Sequence, residues 1–306
     1  MEVMENSPLV TIAVCTRKRP EMVVKCLRSV IDQQTTFPFE IVVVENDTEQ
    51  MARSVIEELI PDAAEKGVEL RYFCEPEQGI SHARNRCAAE CRGKLMACLD
   101  DDEWAEPDWA QQLVEVQRET GADAVYGHWV PIYPEGFPEY IKKVQRPDSL
   151  VPEGGTLIKA AAGTILFTRE ALLSRTPPFD PAYGKTGSED MDFTLFLTSR
   201  GKKIVKTYRA VLYEIQPLER AKMWYYWERH FRNCAMNAGI HYKYYYPLNG
   251  TRLNVRLIFK CLWEVIKTTP FLFVRPRQAF FKMGVYTFSC LGYAAFYLGI
   301  KRTGYH

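Results

Sequence analysis

Lys94-Leu95-Met96-Ala97-Cys98-Leu99-Asp100-Asp101-Asp102-Glu103 is the stretch that decides the fold. Its apolar part is brief, nonperiodic and free of charge, the pattern of a short buried strand. Four consecutive carboxylates then crowd the strand's end. Like charges about 4 Å apart repel by roughly 4 kcal/mol at an effective dielectric near 20. A fold keeps such a cluster most easily where a cation or a sugar hydroxyl answers it. Oxygen donors alone favour a hard ion, Mg2+ or Mn2+, over zinc. A solvated acidic turn is the ordinary reading of a lone Asp-Asp pair, but three Asp directly after a buried strand argue against it.

Strands and helices alternate on either side of this run. Residues 10–15 read as a buried strand, and Arg19-Pro20 opens a helix, with Pro20 near its first position. Met22, Val23, Cys26, Leu27, Val30 and Ile31 recur there at helical spacing. Further strands are predicted over 40–45, 70–74, 94–99 and 122–130, and helices over 50–60, 80–91 and 107–120. Residues 133–155, rich in Pro and Gly, read as an irregular surface loop. A run of small residues from 160 to 168 leads into another strand. Ser188 is placed to cap a helix over 189–200, which Gly201 stops. Alternation of this kind predicts an α/β domain with a largely parallel sheet. In such sheets ligands bind at the carboxyl ends of strands, where Thr16, Glu45-Asn46-Asp47 and Asp100-Asp101-Asp102 all fall.

With 306 residues and 47% apolar content, the chain can bury a large core and carry an appendage. Its nine cysteines form no CxxC pair, and Cys87 and Cys91, one helical turn apart, read as two small helix residues. Such thiols fit a reduced cytosolic compartment. His82, His128, His230, His241 and His306 are scattered, which argues against zinc. The first ten residues are polar and acidic, so no signal peptide is expected. The net charge of +1 hides a polarity: residues 218–306 hold 14 Lys/Arg against 3 Asp/Glu, a net of +11, and residues 1–217 carry −10. The expected domains are therefore a catalytic 1–217 and a basic, aromatic, helical 218–306. The basic part suits an anionic partner, and its hydrophobicity favours a membrane surface over nucleic acid.

The order of these elements resembles the inverting family 2 glycosyltransferases of the GT-A fold. The resemblance rests on Val10-Thr11-Ile12-Ala13-Val14-Cys15-Thr16, on Val44-Glu45-Asn46-Asp47, on Gln78-Gly79-Ile80-Ser81-His82-Ala83-Arg84-Asn85, on Leu99-Asp100-Asp101-Asp102 and on Gly187-Ser188-Glu189-Asp190. It covers about residues 10 to 200. The acidic run through Trp104, the stretch 186–193 and Glu214-Ile215-Gln216-Pro217-Leu218-Glu219-Arg220 look most like the succinoglycan-type glucosyltransferase branch. The resemblance implies Thr16 beside a uridine, with Glu45 or Asp47 contacting it. Glu45 stands where the family usually has Asp, and either carboxylate can accept the uracil imide N–H that cytosine lacks. It also implies Arg84 at the nucleotide or its phosphates, Asp100 at ribose or donor sugar, a less defined Asp101, and Asp102 at Mg2+ or Mn2+. Asp190 would be the base that deprotonates the acceptor hydroxyl, with Glu189 orienting the acceptor.

On one predicted C-terminal helix Trp224, Tyr225, Trp227 and Phe231 interleave with Arg229, His230 and Arg232. Arg229 or Arg232 would close over the diphosphate; packing of an aromatic helix is the plainer alternative. Residues 283–300 carry no charge, are flanked by Lys282 and Lys301-Arg302, and meet the rough length of a spanning helix. Their Ser, Thr, Tyr and Gly content favours an in-plane interfacial helix, with a core helix and a span as the other readings. The expected activity is metal-dependent transfer of a hexose, glucose first, from a UDP-sugar to a glycan or polyprenyl-diphosphate-linked glycan of an exopolysaccharide. The expected place is peripheral or monotopic, on the cytoplasmic face of the inner membrane. One rival is a sugar nucleotidyltransferase, although Cys15-Thr16-Arg17-Lys18-Arg19-Pro20 lacks the glycines of its phosphate loop. The other is a membrane-docked nucleotide-binding protein without catalysis.

Overall fold

The apolar runs near residues 12, 42 and 97 become the middle of one sheet. The structure, a computed structural model, describes residues 7–142, 151–161, 163–245 and 248–299. Strand β1 (Val10–Thr16) is followed by α1 (Pro20–Ile31), β2 (Phe39–Glu45), α2 (Arg53–Glu57), α3 (Ile60–Glu65) and β3 (Glu69–Cys74). Then come α4 (Ile80–Glu90), β4 (Leu95–Asp100), β5 (Glu103–Ala105), α5 (Trp109–Thr120), β6 (Ala124–Ile132) and α6 (Glu139–Lys142). After β7 (Thr156–Leu157), β8 (Ile165–Thr168), α7 (Arg169–Leu173), α8 (Glu189–Ser199) and β9 (Ile204–Ile215), three long helices close the described chain: α9 (Met223–Tyr245), α10 (Leu248–Thr268) and α11 (Pro276–Tyr297).

The strand order is β3-β2-β1-β4-β8-β6-β9-β5, with β7 also on β9. Strands β3, β2, β1 and β4 run parallel. Beyond them β8 runs antiparallel to β4 and β6, and β5 and β7 run antiparallel to β9, so the sheet is mixed. Side chains alternate across a strand, and the continuous apolar runs are thereby divided between two cores. Val10, Ile12, Val14, Ile41, Val43, Leu95, Ala97 and Leu99 face α1 and α5. Ala13, Val42, Val44, Met96 and Cys98 face α4 and α8. The parallel register sets Thr16 opposite Glu45 and Cys15 opposite Asp100, so the polar strand ends gather at one edge.

Several elements differ from the sequence reading. The helix expected over 50–60 is two short ones, α2 and α3. Pro61 sits in the first turn of α3 and has no N–H with which to continue α2. Met22 is 47% exposed, outside the buried stripe of α1. Ser188 precedes α8 with φ of +75° and makes no side-chain cap bond. Strand β9 was not among the expected elements, although Val205, Thr207, Ala210 and Leu212 are buried along it.

The described chain divides into two compact units. One holds the sheet through Pro131 and again up to Glu214; the other holds residues 132–142 and the chain from Ile215 on. In the second unit, Phe137 and Ile141 are buried with Tyr226, Phe281 and Val285. The described start of the expected loop 133–155 is therefore partly core, and its residues 143–150 lie outside the described residues. Helices α9, α10 and α11 pack pairwise. Asn254, fully buried on α10, donates to the Ala238 carbonyl of α9 and to the Tyr297 hydroxyl of α11, at 3.0 and 3.1 Å.

The run 283–300, expected to be an interfacial helix, has one face packed within its own unit and leaves Leu291, Tyr297 and Leu298 exposed. Its described part lies mainly in α11, where Val285, Ser289, Gly292, Tyr293 and Ala295 are buried. Its glycines exist for close packing: a Cβ on Gly284 would overlap the Trp227 ring, and one on Gly292 would overlap the Phe231 carbonyl oxygen. Ile300 and the flanking Lys301-Arg302 lie outside the described residues. Among the described residues no helix is long and apolar enough to cross a membrane. Gly292→Ala should lower the stability of the helical unit by about 1–3 kcal/mol, the usual cost of overpacking. Urea unfolding of the full chain, followed by circular dichroism, measures that loss; an unchanged midpoint would mean that α9 and α11 are not in this close contact.

Candidate active site

Four apolar strands deliver their polar ends to one edge, and those ends hold one another in place. Thr16, at the end of β1, donates its hydroxyl to Asp101 Oδ2 at 2.8 Å. Arg19, just before α1, donates from Nη1 to Asp101 Oδ1 at 3.0 Å and to Asp102 Oδ2 at 3.3 Å. Asp101 is 6% exposed. Burial raises its pKa to about 6, against the opposing pull of Arg19 and the Thr16 hydroxyl. The next acid, Glu103, is also buried and accepts the Asp100 amide at 3.0 Å. Burial, and then Asp100, hold its carboxyl well above the usual range. Only a glycine fits beside it, because a Cβ on Gly163 would lie 2.6 Å from Glu103 Oε1.

Arg84 joins this edge to α8. Its Nη2 donates to Asp100 Oδ1 at 2.9 Å, and its Nη1 donates to Glu189 Oε1. The guanidinium is 7% exposed and Glu189 is 2% exposed. Burial alone would lower the Arg84 pKa; the Asp100 and Asp190 charges outweigh it and hold the group above its ordinary value. Arg84 was expected to reach the nucleotide, and Glu189 the acceptor. The two bond to each other here; two unpaired charges in this buried place would be far costlier than a paired set. Asp190, beside Glu189 in the first turn of α8, is half-buried, and its Oδ1 accepts the Met191 amide at 2.7 Å.

The end of β2 resolves Glu45 from Asp47. Glu45 is fully buried, and its two oxygens accept the Ala52 amide and the Tyr72 hydroxyl, each at 2.8 Å. It anchors the segment before α2. Asp47 Oδ1 takes the Glu49 amide at 3.4 Å, while Oδ2 is buried and accepts no hydrogen bond. The nearest cation to Oδ2 is Lys18 Nζ, at 3.9 Å. Between these two acids, Asn46 donates to the Glu75 and Glu77 carbonyls and accepts the Gly79 amide at 2.7 Å. Gly79 has φ of +146°, and a Cβ there would press on Gly184 at 3.1 Å. Asn85 clasps Phe179 by both its backbone groups, at 2.7 and 2.9 Å. The Gly-x-x-x-Ala-Arg-Asn pattern therefore fastens α4 to the loop that leads into α8.

The sheet unit thus brings together Thr16, Glu45, Asp47, Arg84, Asp100, Asp101, Asp102, Glu189 and Asp190. Arg229 and Arg232 lie on α9, in the helical unit. Three supports were missed in the sequence. Arg19 carries no signal beyond a basic loop, Asn46 lay inside a motif read for its carboxylates, and Glu103 looked like one more exposed acid. Among the described residues no group of three or more His, Cys, Asp or Glu is arranged to hold a metal ion. The outer acids of this edge are Asp102, with a side chain 25% exposed and Oδ2 bonded by Arg19, and Asp100, 40% exposed.

Comparison with known proteins agrees with this geometry. The family model described as Glycosyl transferase family 2 matches residues 11–172. The succinoglycan biosynthesis protein ExoM of Rhizobium meliloti is 32% identical over 234 residues, covering 75% of this chain and 74% of that protein. A glucosyl-dolichyl phosphate glucuronosyltransferase of Haloferax volcanii is 34% identical over 140 residues, 42% of each chain. Among solved structures, the mannosyltransferase PcManGT from Pyrobaculum calidifontis, in complex with GDP-Man and Mn2+, superposes with a TM-score of 0.64 at 15% identity. That match covers 97% of this chain and 89% of that one, and identifies the fold as GT-A with added C-terminal helices.

The raised carboxyls set a pH dependence. The ordinary Asp101 value is 3.8 and its folded value about 6, so over that window the folded chain binds more protons than the unfolded one. Stability from this group is then lost as pH rises from 3.8 through about 6. Glu103 contributes with the same sign. Asp101→Asn should flatten the fall in urea midpoint between pH 4 and 6, and a slope as steep as wild type would place the titration elsewhere.

Proposed function

Because this chain belongs to glycosyl transferase family 2, we propose that it moves a hexose, glucose first, from a uridine diphosphate donor to a glycan hydroxyl, inverting the anomeric carbon. The observation that carries this reading is Arg84. One buried guanidinium ties the acidic end of β4 to the first turn of α8, which holds the candidate base within a side chain's reach of the donor edge.

The donor's base is assigned to Asp47. Its buried Oδ2 is an open acceptor with one place to fill, and uracil offers one imide N–H. Cytosine has no proton at that ring nitrogen. Guanine presents two adjacent donors, and Oδ1 is already engaged by Glu49. Asp100, with a side chain 40% exposed, keeps an oxygen for ribose or donor sugar. The Asp102 oxygen suits a hard ion that takes its remaining ligands from the diphosphate and water, Mg2+ or Mn2+. When bound, such an ion neutralises charge on the departing diphosphate. PcManGT carries Mn2+ beside its nucleotide sugar, in keeping with that choice. Asp190 then takes the proton of the acceptor hydroxyl as that oxygen attacks opposite the leaving group. The acceptor we favour is a lipid-linked exopolysaccharide intermediate at the cytoplasmic face of the inner membrane. The ExoM likeness and the lipid-linked glucose in the name of the Haloferax protein support it.

Asp190→Asn keeps the size of the side chain but cannot accept the proton. Turnover should drop about 10^2 to 10^4-fold, with UDP-sugar affinity kept, when UDP release is followed with membrane lipid extract as acceptor. Normal turnover in Asp190→Asn, or release of pyrophosphate in place of UDP, would overturn the reading. With Asp102 alone assigned to the ion, metal binding should also depend on the nucleotide. Calorimetric titration should find weak Mn2+ binding to the free protein and at least tenfold tighter binding with UDP present. Asp102→Asn should erase that difference, and tight Mn2+ binding without UDP would refute the assigned ligand set.

A further inference from the structure

Helix α10 has two unlike faces. Asn254, Cys261 and Thr268, spaced every seven residues, are buried. On the opposite side Phe259, Leu262, Trp263 and Ile266 are 66, 44, 58 and 61% exposed. At 3.6 residues per turn these four fall within about 100° of arc. The chain then turns toward α11 and exposes Phe271, Phe273 and Val274, the last two at 92 and 72%. Single exposed apolar side chains are ordinary, but a continuous aromatic and aliphatic stripe marks an interaction site.

The charges beside the stripe identify its partner. Arg256, Lys260 and Lys267 follow one edge of it, and Arg275 and Arg277 follow the turn; all five are exposed. Glu264 is the one acid between residues 248 and 299, and it is bonded to Lys267 at 2.5 Å. A second copy of the chain would bring the same cations to the contact and find almost no acid to meet them. Anionic headgroups answer those cations, and the acyl boundary beneath takes the aromatic rings.

We propose that the outer stripe of α10 and the 271–274 turn form a lipid-binding element that lies in one leaflet of an anionic membrane without crossing it. The proposal deepens the membrane-side reading of the acceptor above. It places the contact on a face the sequence reading left unassigned, beyond 283–300, which is partly packed inside its unit. The helix would lie in the plane of the interface, with the Phe273 turn deepest and the basic edge among the headgroups.

The test uses the full chain and vesicles of phosphatidylglycerol with phosphatidylcholine, or of phosphatidylcholine alone. The protein should sediment with the anionic vesicles at least tenfold more than with the neutral ones. Trp263→Ser combined with Phe273→Ser should lower that partition at least tenfold while leaving the thermal midpoint in place, since both side chains are exposed. Leu173→Ser, on α7 and 68% exposed in the wild type, should change nothing. Lipids with brominated acyl chains should quench tryptophan emission, and Trp263→Phe, which keeps the apolar area, should lose part of the quenching but not the binding. Unaltered vesicle binding in the double variant would overturn the proposal. A vesicle-free dimer that the double variant dissociates would also overturn it, because a second copy would then cover the face. UDP-sugar hydrolysis without vesicles tests the transferase reading separately. Vesicle binding as expected with no hydrolysis would sink that reading and support this one.

Discussion

Arg84 is the contact on which the site depends. A guanidinium this deeply buried is tolerable because it meets Asp100 on one side and Glu189 on the other. Removing either acid leaves charge uncompensated in a poorly solvated place, which typically costs about 3–5 kcal/mol. The same pairing is a measure of position. It sets the distance between the end of a parallel strand and the start of a helix almost a hundred residues later. A planar donor with two rigid arms suits that task, whereas a lysine would offer one flexible point charge.

Around that link the acids sort into two layers. Glu45, Asp101, Glu103 and Glu189 are buried, and hydroxyls, amides or guanidinium groups occupy them. Asp100 and Asp102 reach outward, and Asp190 is half-buried. A crowd of carboxylates would otherwise disperse; here the inner members are held by hydrogen bonds and the outer ones reach toward solvent. The raised values of Asp101 and Glu103 follow from this arrangement, since burial disfavours their charged forms.

The helical unit uses its apolar residues in a different way. Gly284 and Gly292 let α11 lie directly against the Trp227 ring and the Phe231 backbone, so one face of a charge-free run is covered. The buried Asn254 network then fixes how α9, α10 and α11 meet. Once α10 gives its Asn254 face to that network, its aromatic face stays exposed among the described residues of the unit.

Much of the sheet unit was readable from local pattern. Short apolar runs named the strands, polar residues at their ends marked the binding edge, and the residue types in Asp100-Asp101-Asp102 and Glu189-Asp190 pointed to metal-assisted transfer. These signals are local because strand burial and side-chain chemistry are local. Which acid is enclosed by bonds and which is not was set only by tertiary contacts. Glu45 and Asp47 are two residues apart and chemically alike, yet Tyr72 and the Ala52 amide close one while the other keeps an open oxygen. Arg84 and Glu189 carry the right charges for ligands and instead answer each other. The antiparallel half of the sheet depends on pairings among distant strands, which no local period records. The run 283–300 reads as an interface by hydropathy alone, and only its packing against α9 shows which of its residues are covered. Composition determined how much apolar surface the chain carries; the neighbours of each face determined which of it is covered.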